Sequence, residues 1–120
     1  TLAAARLVEP RRVFAVFQPH LYTRTKFFCD DFARVLATVD RAIVTDLYPA
    51  REEPIPGVDS GIIVDAAQRQ GAANVALVND MNAVPAMLAP ELEPGDIVLL
   101  LGAGNINRVA PAMLAELEKR

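Results

Sequence analysis

Cysteine occurs once in this chain, at Cys29, histidine once, at His20, and tryptophan not at all. A lone thiol closes no internal disulfide, and Cys29 with His20 is too small a ligand set for structural zinc, so a reducing compartment is expected. The chain contains no apolar run of about 18 residues and opens on no secretory leader, so membrane insertion is not expected. Nor does it contain the G-x-x-x-x-G-K-[ST] spacing of a phosphate loop, so it does not by itself hold ATP in that manner. A starting methionine is missing as well: "TLAAAR" already reads as helix, and the expectation is a piece of something longer.

What is present fits one soluble α/β domain. The 120 residues are 52% hydrophobic and 22% charged, enough for a single core and far from a disordered composition. The net charge of -3 is unevenly spread: residues 1–28 sum to +4 through Arg6, Arg11, Arg12, Arg24 and Lys26 against Glu9, and the remainder to -7. A basic island of that size suits a small anionic ligand at one edge, and is too small for a nucleic-acid track with its many phosphate contacts. For Arg11 and Arg12 the plainer reading is that they solubilise the approach to a strand.

Along the chain, residues 1–7 read as the end of a helix stopped by Pro10, and the apolar run at 13–17 as a buried strand. A helix is predicted over 25–39, capped by Thr23 or Thr25, with Phe28, Phe32, Val35, Leu36 and Val39 on its apolar face. A strand at 42–48 follows, then a proline-broken loop over 49–57. Asp59 or Ser60 caps a helix that runs to Gln70 and ends at Gly71. A third strand at 74–78, a helix over 83–92 capped by Asn82, a fourth strand within 95–105 ending in a glycine turn, and a helix over 106–119 complete the order. Alternating apolar strands and helices with crossover-length connections predict an open, mostly parallel sheet with helices on both faces, a three-layer arrangement. Four strands are few for such a sheet, and upstream material is expected to complete it.

In an open parallel sheet ligands sit beyond the carboxyl ends of the strands. Three unusual segments fall at that edge: "QPHLYTR" after the first strand, "YPAREEP" after the second and "GAGN" after the fourth. Arg24 there can clamp a carboxylate or phosphate with two parallel donors, or pair with Asp30, Asp31 or a loop carboxylate. His20 can donate to an anion, exchange a proton near neutral pH, or serve as a satisfied structural donor. Tyr22 can hold His20 or a ligand through its hydroxyl, or cover the sheet edge. Glu52 and Glu53 look like a carboxylate pair, but adjacent loop residues have no fixed separation across a scissile bond. "LGAGN" lacks the G-x-G-x-x-G spacing and follows the last strand, so its glycines point to close backbone approach or an anion nest.

Taken together, "FQPHLYTRT" at 17–25, "DDFARVL" at 30–36, "DLYPAREEPIPGV" at 46–58 and "PGDIVLLLGAGNI" at 94–106 resemble the C-terminal domain of the Mur ligase family, amino-acid-adding enzymes of peptidoglycan synthesis. The resemblance covers the chain nearly end to end. It implies a Rossmann-like domain of a three-domain, cytoplasmic enzyme whose N-terminal domain takes a UDP-sugar and whose central domain holds most of ATP and Mg2+. Within the family it points to the addition of L-alanine to UDP-N-acetylmuramate: an acyl phosphate forms and the alanine amine attacks it, releasing phosphate and ADP. Carried over by motif, Arg24 clamps the alanine carboxylate, His20 lies in the same pocket, and Tyr22 and Tyr48 shape or border it. No catalytic or metal-ligating residue is implied within residues 1–120, and nucleic acid is not a partner.

Two departures stand out. Leu21 occupies a position where many relatives carry arginine, and Asn105 replaces the aspartate of the more usual GAGDI turn. A "DDYAHHP"-like segment of the family lies ahead of the point where this chain starts, and without it and the other domains the chain is expected to be inactive alone. Two other readings stay open, a stand-alone binding or interaction module on the same scaffold and a Mur ligase for a different amino acid.

Overall fold

The computed structural model describes residues 11–102 and 106–119. The expected helix at 1–7 with its Pro10 stop, Asn105, and most of the "GAGN" turn lie outside the described residues. Four strands, β1 (Val13–Gln18), β2 (Arg41–Val44), β3 (Val75–Leu77) and β4 (Ile97–Gly102), form one sheet in the order β3-β2-β1-β4. Every pairing is parallel, with Phe17 opposite both Val44 and Leu101, and Gln18 opposite Gly102.

Alternation along the strands builds a core on each face. Val13, Ala15, Ala42 and Val44 pack beneath α1 (Tyr22–Leu36) and α2 (Gly61–Arg69), while Phe14, Val16 and Ile43 pack beneath α3 (Val84–Leu88) and α4 (Val109–Glu118). The three-layer expectation holds. From β1 the chain steps through α1 to β2 and through α2 to β3, then crosses back through α3 to β4 on the far side of β1. The strand order therefore reverses between β1 and β4, and a crevice opens at such a switch point.

Several local expectations are corrected. The first helix starts at Tyr22 and Thr25 is not its cap: it is fully buried one turn in, and its hydroxyl donates to the Leu21 carbonyl at 2.7 Å. The helix rotates accordingly. Thr25, Ala33 and Leu36 are its buried residues, whereas Phe28 and Val35, expected to face the core, are each 50% exposed. Phe32 does meet the sheet, its ring 5.0 Å from that of Phe17.

The strand expected over 42–48 ends at Val44, after which Asp46 donates its N–H to the Asn79 carbonyl. Asp59, not Ser60, supplies the side-chain acceptor at the start of α2, taking the Gly61 N–H at 2.8 Å; Ser60 turns inward and donates to the Thr45 carbonyl. Asp80, not Asn82, caps the next segment, accepting the Asn82 N–H at 3.0 Å. That segment is broken into a 3-10 turn at Met81–Ala83, the short α3, which carries Pro85 in its first turn, and a second 3-10 turn at Ala89–Glu91, where Pro90 removes the donor that would continue α3. Pro111 falls in the first turn of α4, where no intrahelical donor is required.

Candidate functional site

The rim beyond the carboxyl ends of β1 and β4 is built from the sequence between Gln18 and Arg24. Pro19 ends the ladder, and the chain then pairs once more: Tyr48 donates its N–H to the Pro19 carbonyl at 2.8 Å and Leu21 donates to the Tyr48 carbonyl at 2.9 Å. His20 and Tyr48 form a parallel bridge, and their rings lie nearly parallel with centroids 6.0 Å apart. Tyr48, 29 places beyond Pro19 in sequence, is thus the aromatic partner of His20. Tyr22 is half-buried at the start of α1 and takes no part in that stack.

Leu21 adopts φ 70° and ψ 142°, a combination that side-chain-bearing residues rarely take and that costs roughly 1–3 kcal/mol. It is fixed from both sides, by the bond to Tyr48 and by the Thr25 N–H and hydroxyl that its carbonyl accepts at 3.2 and 2.7 Å. The sharp corner lets α1 start directly after the bridge, which puts Thr23 and Arg24 in its first turn.

Arg24 is exposed and, among the described residues, makes no ion pair or hydrogen bond. The neighbours it was weighed against are engaged elsewhere: Asp31 pairs with Arg34 at 2.8 Å, Asp30 faces Arg69 at 3.8 Å, and Glu52 is bound to Thr23. Both Glu52 oxygens are used, one accepting the Thr23 N–H at 3.0 Å and the other the Thr23 hydroxyl at 2.6 Å. The Thr23 hydroxyl, with the Thr23 and Tyr22 backbone N–H groups and the nearby His20, holds the Glu52 carboxyl below its ordinary range against partial desolvation. Glu52 therefore caps α1 from a distant loop, and the idea of a working Glu52–Glu53 pair is replaced by that role. Sequence reading missed it because the donor lies 29 residues away and no local spacing links the two.

The basic island divides. Arg24 and Lys26 lie at the start of α1, beyond the carboxyl end of β1, whereas Arg11 and Arg12 sit at the opposite edge, where β1 begins. Arg12 donates to both Asp96 oxygens at 3.2 and 2.8 Å and to the Glu91 carbonyl at 2.8 Å, with its guanidinium 4.9 Å from the Phe14 ring centroid. Arg11 pairs with Glu93 and lies 3.6 Å from Asp96. These two arginines anchor the turn before β4, a structural role more specific than solubilising the approach to a strand, and they stand away from the rim.

At the rim itself, Gly102 pairs with Gln18 at φ 140°, and a Cβ there would sit 2.5 Å from the Gln18 carbonyl oxygen, so only glycine fits. Cys29 is half-buried on α1, packed against the first core, with a free thiol. Among the described residues no three His, Cys, Asp or Glu side chains gather as metal ligands, and no lysine-bearing glycine loop is present. What the rim offers is an exposed guanidinium, unpaired among the described residues, in the first turn of the helix that follows the His20–Tyr48 bridge; such a group can hold a small anion by one end.

A family model described as Mur ligase, glutamate ligase domain, matches residues 1–104. The chain is 46% identical over 120 residues to the UDP-N-acetylmuramate–L-alanine ligase of Cutibacterium acnes, covering 98% of this chain and 25% of that protein. To the ligase of the same name from Streptomyces coelicolor it is 45% identical over 112 residues, covering 93% of this chain and 24% of that one. It thus spans about a quarter of the length of these relatives. In fold it is similar to the MurF ligase of Thermotoga maritima, solved in complex with ADP, with a TM-score of 0.64 over 99% of this chain and 26% of that one; at 22% identity this likeness concerns the fold alone. Because the family match takes in both rim loops as well as the sheet that carries them, the chain belongs to the Mur ligase family, through its C-terminal domain.

Proposed function

We propose that this domain works within a longer, three-domain, cytoplasmic ligase that joins L-alanine to UDP-N-acetylmuramate, and that its rim receives the incoming amino acid. The names of the 46% and 45% identical relatives support the reaction. The observation that carries the site is Arg24, exposed and without a partner among the described residues in the first turn of α1, at the strand-order switch. Its planar fork takes the alanine carboxylate through two parallel N–H donors, which leaves the neutral amine at the other end of the molecule free to point out of the rim. His20, stacked on Tyr48, stands in the same pocket as a hydrogen-bond donor, and Tyr22 borders it.

In this reading ATP and Mg2+ belong to the rest of the protein, where the muramyl carboxylate is activated as an acyl phosphate. The alanine nitrogen attacks the acyl carbon, the amide bond forms and phosphate leaves with the bonding electrons. The contribution of this domain is orientation, and holding a nucleophile in line is worth large factors in rate without any proton transfer by the clamp. No helix among the described residues is long and apolar enough to cross a membrane.

The test is ligation by the full-length enzyme across a panel of amino acids, with Arg24→Ala beside it. A rise of about tenfold or more in the KM for L-alanine with folding intact is expected, the loss of a charge-assisted pair. Wild-type kinetics in the variant would rule out the clamp, and absence of ligation with every amino acid would favour a binding module.

A further inference from the structure

We propose that Glu52 is a positioning residue for the amino-acid site: its carboxylate clasps the loop after β2 to the first turn of α1, and thereby fixes Arg24 relative to the His20–Tyr48 stack. The inference rests on the proposed role of Arg24 and adds a residue that the rim motif itself does not contain.

The two rim segments, residues 19–23 and 48–52, are tied at both ends. At one end are the paired backbone bonds of Tyr48 with Pro19 and Leu21, at 2.8 and 2.9 Å. At the other are the two bonds from Thr23 to Glu52, at 3.0 and 2.6 Å. Between them the second segment turns back on itself, with Ala50 at φ 56° and the Glu52 N–H closing onto the Pro49 carbonyl at 3.0 Å. Leu21 at φ 70° and Ala50 are the only non-glycine residues with positive φ among the described residues, one in each of the two clasped segments. Strained conformations of that kind persist only where surrounding bonds over-determine them. Arg24 directly follows Thr23, so the direction in which its guanidinium leaves α1 is set by the turn that Glu52 holds.

Glu52 has a second effect. The free N–H groups at the start of a helix attract any carboxylate. Here the Thr23 N–H is already taken by a carboxylate of the chain itself, so a free amino acid finds that seat filled and is left with the guanidinium one residue on. The clasp thus gives the substrate one orientation in place of two.

Steady-state kinetics of the full-length ligase containing this chain test the idea with four proteins: wild type, Arg24→Ala, Glu52→Ala and the double variant. Glu52→Ala is expected to raise the KM for L-alanine about tenfold while the KM values for ATP and UDP-N-acetylmuramate stay within about twofold. In the Arg24→Ala background the same change is expected to add less than about twofold, because its action passes through Arg24. Glu52→Gln, which keeps an acceptor oxygen for the Thr23 N–H, should recover part of the loss. A helix cap with a structural role alone would lower the melting temperature and leave these KM ratios unmoved. An unchanged KM for L-alanine in Glu52→Ala, or an effect that multiplies in full with that of Arg24→Ala, would overturn the proposal. If Glu52→Ala does not fold, Thr23→Val removes one of the two clasp bonds and is read by the same criteria. A silent Arg24→Ala would instead overturn the amino-acid clamp, and this inference with it; a silent Glu52→Ala beside an impaired Arg24→Ala sinks the clasp alone.

Discussion

Arg12 and Asp96 show what a single ion pair contributes to this sheet, and at what pH. The hydrogen bond from Arg12, opposed by desolvation and helped by the Glu93 N–H, holds the Asp96 carboxyl below the ordinary 3.8. A group whose folded value is depressed stabilises the fold fully above its unfolded value and loses that contribution as pH falls through the folded one. Thermal melts from pH 7 downward should therefore find Asp96→Asn less stable than wild type, with the gap closing once pH drops below about 3.8; a gap independent of pH would contradict this. Gly102 is the other residue with a sharp expectation. Gly102→Ala would place a methyl 2.5 Å from the Gln18 carbonyl at φ 140°, and should cost about 2 kcal/mol or more in urea unfolding, with a neutral result showing that the β1–β4 rim can open. Legibility at this scale follows chemistry. Arg24, His20 and Tyr48 stood out because their residue types are unusual at the end of an apolar strand. Glu52 did not, since its partner is distant in sequence, and the two halves of the basic island merged because β1, about 20 Å long, separates them only in space.

Elements were legible where a period ran uninterrupted. β1 and β4 read directly from their apolar runs, and α2 from its stripe ending in Gly71 at φ 87°. For α1 the sequence pattern places the start three residues late, because threonine resembles a cap; once Leu21 takes the corner, the buried stripe shifts, and Phe28 goes to the surface beside Phe27, 75% exposed. The segment containing Pro85 and Pro90 reads as one helix because its apolar content is continuous, but it forms three short turns, with the donor missing at Pro90 ending α3. Packing beneath these turns is still tight. Ile43, fully buried between β2 and α3, is the strongest test of that face: Ile43→Ala should lose about 2–5 kcal/mol in equilibrium unfolding, and a loss under about 1 kcal/mol would mean that the second core is not packed as described.

At the scale of the molecule, the order β3-β2-β1-β4 explains why one rim gathers the residues of interest. From β1 the chain builds outward through β2 and β3, and the last strand arrives on the other side of β1, so the carboxyl ends of β1 and β4 lie at the reversal of strand order, where ligands bind in sheets of this kind. The chain spans about a quarter of its relatives' length, and the role proposed for it within the longer protein is to hold the nucleophile's carboxylate. The most direct measurement is the preference of the full-length ligase for L-alanine over L-alaninamide, an acceptor with the same amine and no negative charge. A higher kcat/KM for L-alanine is expected in the wild type, by roughly tenfold or more, with loss of most of that preference in Arg24→Ala. A variant that lacks the guanidinium and still discriminates as well as the wild type would contradict it.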